Sequence, residues 1–279
     1  MPPRKEGHSL DPSPEVSVVI PTYRRPTQVT EAARSALAQA GVAVEVLVLD
    51  DSPEASAREV IEGLRDPRVT YRHRATPSGG NPSLVRNEGL ADTRAPVVHF
   101  LDDDDLAEPG HYADVLRALA RHPRAGVVLG RIEPFGELAS AVERERAVFA
   151  VSQRRARRLH RAGRLGIVAA QLFTSPTLFV NSACMVRREV ATAVGGYDTE
   201  LRVMEDVDFY TRAIRAAGLV FLDRVAVRYR TGYHSLMNAA REQEVTAAYA
   251  RMYARYRAAH GSLELLGLKA LAKSVIKWT

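Results

Sequence analysis

The chain has one cysteine, one tryptophan and an aromatic content of only 6%. A single cysteine excludes an internal disulfide, and with it every disulfide-stapled scaffold. Cys184 sits in the apolar run Cys184-Met185-Val186. A buried small hydrophobe is expected there rather than a nucleophile. Long apolar runs are missing as well, so no helix of the ~18 apolar residues that crossing a membrane takes is expected. The longest candidate, residues 166–180, is broken by Gln171, Thr174, Ser175 and Pro176. The N-terminus carries Arg4 and Lys5 with no apolar stretch behind them, which is not a secretory pattern. The expected location is the cytoplasm, with room for peripheral association with a membrane.

What is present is an ordinary globular composition: 279 residues, 46% hydrophobic and 26% charged. That is enough chain to bury a core without metal or disulfide staples, as one large α/β domain or two small ones. The formal net charge of +6 favours an acidic partner. Nucleic acid, anionic lipid and phosphorylated substrates all qualify on charge alone.

Residues 1–14, with Pro2, Pro3, Pro12 and Pro14, read as a disordered tail. Residues 16–20 form an apolar, β-branched run closed by Pro21, as a buried strand would be. Val29, Ala32, Ala33, Ala36, Leu37 and Ala40 recur at helical spacing, and Gly41 follows as a stop. Residues 44–49 read as a second strand ending in Asp50-Asp51, and Ser52-Pro53 as the cap and first turn of the next helix. A weaker strand spans 69–73. Asn81-Pro82 starts a helix to about Ala91, a strand spans 97–101, and Pro109 starts a helix to about Arg121. Such alternation predicts a mainly parallel sheet with helices on both faces. The second half is less regular: strands over 127–131, 178–186, 220–222 and 225–230, helices over 187–194 and 205–217, and helical pattern from Ala239 to His260 and again from Leu263. Residues 132–176 give no clear pattern.

Ligands on such sheets bind beyond the carboxyl ends of the strands. Three polar groups converge there: Thr22-Tyr23-Arg24-Arg25, Asp50-Asp51, and the run Asp102, Asp103, Asp104, Asp105. Carboxylates so crowded repel one another and are costly to ionise together without a cation. Oxygen-only ligands suit hard ions such as Mg²⁺ or Mn²⁺, held by two carboxylates and diphosphate oxygens. The plainer reading is an acidic turn facing water.

Five segments in order resemble family 2 glycosyltransferases of the GT-A fold. They are residues 16–25, Val48-Leu49-Asp50-Asp51-Ser52, Arg86-Asn87-Glu88-Gly89, Phe100-Leu101 with the four aspartates, and Glu205-Asp206. The resemblance covers about residues 15–235 and implies a GT-A-type, mainly parallel twisted sheet flanked by helices. It implies a nucleotide-sugar-binding half at 15–105 and an acceptor-binding half at 106–235. Residues 236–279 would be a C-terminal helical extension. It implies an inverting, metal-dependent transfer of sugar from a nucleoside-diphosphate sugar to an acceptor hydroxyl on a sugar or a lipid-linked molecule, in polysaccharide, glycolipid or glycoconjugate synthesis. By that resemblance Pro21, Thr22 and Tyr23 line base and ribose, Asp50 contacts the base, and Arg86 lies near the phosphates. Arg25, Asp51 and Asp103 join the nucleotide-sugar set. Asp102 and Asp104 match the Asp-x-Asp motif that holds Mn²⁺ or Mg²⁺. Asp206 falls where inverting members keep their catalytic base. The usual Asp-Asp-Gly-Ser is Asp50-Asp51-Ser52-Pro53 here, a departure that bears on the loop shape and the choice of base. His234, after a Tyr-Arg run, matches a further metal ligand or diphosphate contact, with a hydrogen-bonded surface histidine as the alternative. Asp208 and Arg212 form a helical i, i+4 pair read as structural.

Three other functions stand beside this one. A sugar-nucleotide pyrophosphorylase would want a glycine-rich loop where Thr22-Tyr23-Arg24-Arg25 stands. A non-catalytic nucleotide-sugar-binding module would not need Asp206. An aspartate-nucleophile phosphatase would want Thr where Leu106 stands. Arginines 154, 155, 157, 158, 161 and 164 form a basic stretch, and 263–279 is amphipathic with Lys269, Lys273 and Lys277. Either 153–164 or 263–279 is a candidate for peripheral membrane contact; a solvated face and packing on the domain are the alternatives. No aromatic residues interleave the arginines, which argues against nucleic acid as a partner.

Overall fold

A computed structural model describes residues 13–159, 163–174, 177–232 and 241–278. Most of the tail expected at 1–14, Arg161 and His234 lie outside the described residues.

Four short units build the first half. Strand β1 (Val16–Thr22) leads into α1 (Pro26–Leu37), which buries Val29, Ala32, Ala33 and Ala36, the face expected from their spacing. Strand β2 (Val44–Asp50) is buried along its length, as a strand covered on both faces should be. Helix α2 is only Arg58–Glu62 and does not start at Ser52-Pro53. The reason is local. The Ser52 N–H donates to Asp50 Oδ1 at 2.9 Å and the Ala57 N–H to Asp50 Oδ2 at 2.8 Å, so one carboxylate closes residues 52–57 as a loop. Strand β3 (Val69–His73) follows. Asn81 then caps α3 (Pro82–Asp92), accepting from the N–H groups of Ser83 and Leu84, and β4 (Val97–Phe100) ends at the aspartates. Gly89 of α3 lies against β1: a Cβ there would come within 2.3 Å of Val19 Cγ1, so only glycine allows this helix to sit so close.

The second half adds β5 (Leu106–Ala107), α4 (His111–Arg121), β6 (Val127–Phe135), α5 (Ala139–Leu159) and α6 (Arg164–Phe173). The strand expected over 178–186 is shorter. A 3₁₀ turn at Asn181–Ala183 precedes β7 (Cys184–Arg187), because Asn181 and Ser182 spend their side chains on the neighbouring strand end. Helix α7 (Arg188–Ala193) and α8 (Glu205–Ala217) follow, and the two strands expected at 220–230 are one, β8 (Leu219–Arg230). Helices α9 (Glu242–His260) and α10 (Ser262–Trp278) complete the chain.

One sheet holds all eight strands, in the order β3-β2-β1-β4-β7-β6-β8-β5. Pairing is parallel from β3 through β4 and again between β6 and β8; β7 and β5 run against their neighbours. The sheet therefore crosses the expected division at residue 105 without a break. Cys184 is fully buried. Helix α10 buries Leu268 and Ala272, while Leu263 and Leu266 stay 87% and 63% exposed on its outer side. No helix among the described residues is long and apolar enough to cross a membrane.

Candidate active site

The carboxyl ends of β1, β2 and β4 bring the three polar segments to one edge, with Thr22 in register with Asp50. Thr22 Oγ1 donates to Asp103 Oδ2 at 2.8 Å, and Arg25 donates to Asp103 at 2.9 Å and to Asp104 at 2.6 Å. Arg24, next to them, holds the left-handed φ of 57°, which turns the chain sharply after Tyr23 and leaves that ring 44% exposed. Pro21 is half-buried at the same strand end.

Asp50 is wholly buried, and its partners are Ser52, Ala57 and the Tyr71 hydroxyl, the last at 2.9 Å. Asp51 accepts from Arg74 at 2.5 Å and from the Ser78 N–H at 2.7 Å, and Arg74 forks onto Glu88. Both acids thus hold loops: Asp50 the 52–57 loop, Asp51 the 74–78 segment before α3.

Arg86 is the centre of the arrangement. It is 5% exposed and donates to Asp102 Oδ1 at 2.8 Å and to Glu205 Oε1 at 2.7 Å. Its guanidinium lies 5.3 Å from the Tyr197 ring centroid. Burial alone would lower its pKa; Asp102 and Glu205 outweigh that and hold it well above the usual value. Asn181 adds a second hold on Asp102, at 2.9 Å, and its own carbonyl accepts from the Tyr197 hydroxyl at 2.8 Å. Behind them, Ser182 Oγ accepts from the Asp102 N–H at 3.1 Å. The Ser182 carbonyl can only accept, so His99 carries its hydrogen on Nε2 (2.8 Å) and takes the Tyr112 hydroxyl on Nδ1 (2.8 Å). Burial lowers the His99 pKa to about 4 and keeps this support neutral.

The aspartate run is divided by its surroundings. Burial, then the Asp104 charge, pushes Asp103 up to about 6. Burial also raises Asp104, and raises Asp105 well above the carboxylate range. Asp105 Oδ1 accepts the Arg230 N–H at 3.0 Å, and its Oδ2 is buried without a hydrogen-bond partner among the described residues. Arg230 also donates to the Asp104 carbonyl at 2.8 Å. Among the described residues no group of three or more His, Cys, Asp or Glu is placed to hold a metal ion. Asp102 and Asp104 nonetheless suit one. Each is partly exposed, each has one oxygen taken by Arg86 or Arg25, and the crowding that raises their neighbours is what a cation relieves.

Asp206 lies in the first turn of α8 and is half-buried. The residue before the helix, Met204, holds φ 60°, a strained position for a non-glycine residue that re-aims the chain into the helix. Burial, then Glu205, raises Asp206 to about 7 against the opposing pull of Arg86. Asp208 faces the other way: it accepts from Arg212 at 2.8 Å and from Arg255 at 3.1 Å. The structure so gathers Thr22, Arg25, Arg86, Asp102, Asp103, Asp104 and Asp206 around one edge, with Asp50 and Asp51 just behind it. Sequence reasoning missed Glu205 as the partner of Arg86, and missed Asn181, Ser182, Tyr197, Arg74 and Ser78. The one visible signal was the polar pair Asn181-Ser182 inside an otherwise apolar run.

An eight-stranded mixed sheet flanked by helices, with its parallel half carrying acids and arginines at the carboxyl edge, matches the GT-A fold. The family model "Glycosyl transferase family 2" matches residues 17–194, more than half of the chain, and the chain belongs to that family. It is 35% identical over 101 residues to succinoglycan biosynthesis protein ExoO of Rhizobium meliloti, covering 36% of this chain and 28% of the relative. Over 140 residues it is 35% identical to validoxylamine A glucosyltransferase of Streptomyces hygroscopicus subsp. jinggangensis, covering 47% and 33%. An uncharacterized glycosyltransferase of Haemophilus influenzae is 24% identical over 202 residues, covering 72% and 62%. The chain thus spans less than two thirds of the length of each of these relatives. Among solved structures, S. aureus TarS 1-349 in complex with UDP-GlcNAc superposes with a TM-score of 0.67 at 18% identity, covering 94% of this chain and 71% of that one.

Proposed function

We propose that the chain transfers a sugar from a nucleoside-diphosphate sugar to an acceptor hydroxyl by a single inverting displacement, in the synthesis of a polysaccharide, glycolipid or glycoconjugate. One observation carries the reading. Arg86 joins Asp102, at the edge where the donor's diphosphate would sit, to Glu205, the neighbour of the base candidate Asp206. The two halves of a displacement are thereby within one guanidinium's reach. Structural relatives solved with UDP-GlcNAc and with UDP support the donor class.

In this reading Pro21, Thr22, Tyr23 and Arg25 border the nucleotide. Asp50 and Asp51 shape the loops that receive it, and Arg86, Asp102 and Asp103 line the diphosphate. Residues 15–105 are the donor half and 106–235 the acceptor half. Asp102 and Asp104 would hold Mn²⁺ or Mg²⁺, which neutralises charge on the departing diphosphate. Asp206, ionised, takes the proton of the acceptor hydroxyl as its oxygen attacks the anomeric carbon opposite the diphosphate. The raised pKa makes it a stronger base than an ordinary carboxylate. The acceptor is a sugar or a lipid-linked molecule. Peripheral contact with an anionic membrane through 153–164 or 263–279 fits Leu263 and Leu266 standing exposed beside Lys269 and Lys273.

A thermal-shift screen of UDP-, GDP-, dTDP- and CDP-sugars with Mn²⁺ tests the donor reading, because a ligand that binds only the folded state raises the melting temperature. One nucleotide should stabilise the protein, and chelation should weaken the effect. Stabilisation by none would overturn the reading. Co-sedimentation with anionic liposomes, with and without residues 261–279, tests the membrane contact; equal partitioning contradicts a role for α10.

A further inference from the structure

On α6 and on the helix ion-paired to the segment bearing Asp206 lies an aromatic strip that the donor reading leaves unused. Tyr253 of α9 stacks on Phe173 at the end of α6, with centroids 5.1 Å apart and planes 10° from parallel. Tyr249, one helical turn earlier, continues the strip at 5.9 Å from Tyr253. All three rings are half-buried, each with one part against the core and another open to solvent. The Tyr253 hydroxyl donates to the Leu172 carbonyl at 2.8 Å, which fixes that ring. The Tyr249 hydroxyl has no hydrogen-bond partner among the described residues.

Helix α9 is held against the base-bearing segment. Arg255 donates to Asp208 at 3.1 Å, two residues past Asp206. Arg251 donates to Asp198 at 2.6 Å, the residue after Tyr197. Tyr249 lies on the same helix as these anchors, on the side toward α9's N-terminus. Its hydroxyl is pushed up to about 12 by burial, then by Tyr253 and by the Asp206 carboxylate, so the charge of the base reaches it.

From this placement we infer that Phe173, Tyr253 and Tyr249 form the acceptor subsite, a platform for the apolar face of a pyranose ring, with the Tyr249 hydroxyl free to bond a sugar hydroxyl. A half-exposed row of rings with one polar handle is the lining that carbohydrate-sized ligands need: apolar area for the ring's C–H face, and a donor to orient it. Two of its three rings, Tyr249 and Tyr253, lie past residue 194, outside the family-matched segment, so the acceptor preference would be written largely in α9 rather than in the shared core. The inference rests on the transfer reading, which gives Asp206 an acceptor to deprotonate.

Saturation-transfer NMR with methyl β-D-glucopyranoside as probe, and glycerol as a ringless polyol control, tests it. Wild-type protein should transfer saturation to the glucoside's C–H protons on one face and far less to glycerol. Tyr249→Phe should keep most of the effect, and Tyr249→Leu, apolar but without a ring, should lose it several-fold. Thermal melting of each variant, with and without UDP and Mn²⁺, verifies the fold and the donor side. No transfer in the wild type, equal transfer in Tyr249→Leu, or equal transfer to glycerol would overturn the platform. Glucoside binding without any stabilisation by UDP would count against a uridine donor and leave the platform standing.

Discussion

The N-terminal half of the sheet and the C-terminal helices are held together by different means. Strands β1, β2 and β4 are apolar and buried, and the acids at their ends find partners within the same half: Asp50 on Ser52 and Ala57, Asp51 on Ser78 and Arg74. Helices α9 and α10 add long-range ion pairs to their apolar packing: Arg251 and Arg255 to Asp198, Arg255 to Asp208, and Arg215 to Glu264. The first arrangement makes a rigid cradle whose shape is set locally. The second joins helices that also pack Ala248, Met252, Tyr256, Leu268 and Ala272 into the core to segments distant in sequence. The base candidate Asp206 lies where the two meet.

Breaking the link between the halves should have the largest effect on stability. Arg86→Met leaves Asp102 and Glu205 without their shared cation, and removing one partner of a buried ion pair costs about 3–5 kcal/mol. Urea unfolding of wild type and variant measures it. A loss of under about 1 kcal/mol, the range of exposed pairs, would mean that the bridge is not a structural joint.

The pH profile comes next. Asp206 works as a base only when ionised, and burial with Glu205 raises it to about 7, so kcat/KM should climb with pH up to about 7 and then level off. Glu205→Gln removes the like charge beside it, so the rise should shift toward acid. An unshifted rise in that variant would contradict the electrostatic assignment.

The smallest effect is expected from the C-terminal ties. Arg255 is 37% exposed in its side chain, so Arg255→Ala should cost only about 1 kcal/mol despite its two carboxylate partners. The melting temperature reads this. A drop as large as that of Arg86→Met would contradict the low rank given to these half-exposed ion pairs.

The same contrast decided what the sequence disclosed. The N-terminal half was legible because burial on both faces writes strands as apolar runs, and because caps such as Asn81-Pro82 are local. Its polar edge was legible for the same reason. Helix α5 was not, since it buries only Ala141, Phe149, Ser152, Ala156 and Leu159 among charged residues, too sparse for a clear period. The partnership of Arg86 with Glu205 joins residues 119 apart, and that of Arg251 with Asp198 residues 53 apart. No periodicity records such pairs. The helix expected at Ser52 failed for a related reason: a serine beside a buried aspartate bonds to that side chain instead of capping a helix.

Asp206→Asn tests the central claim most directly, with sugar transfer and donor binding measured on the same protein. The substitution keeps the shape and removes the base. General-base catalysis contributes about 10²–10⁴-fold, so transfer should fall by that order while the donor-induced rise in melting temperature stays nearly that of the wild type. Transfer near the wild-type rate, or loss of donor binding together with transfer, would contradict the account.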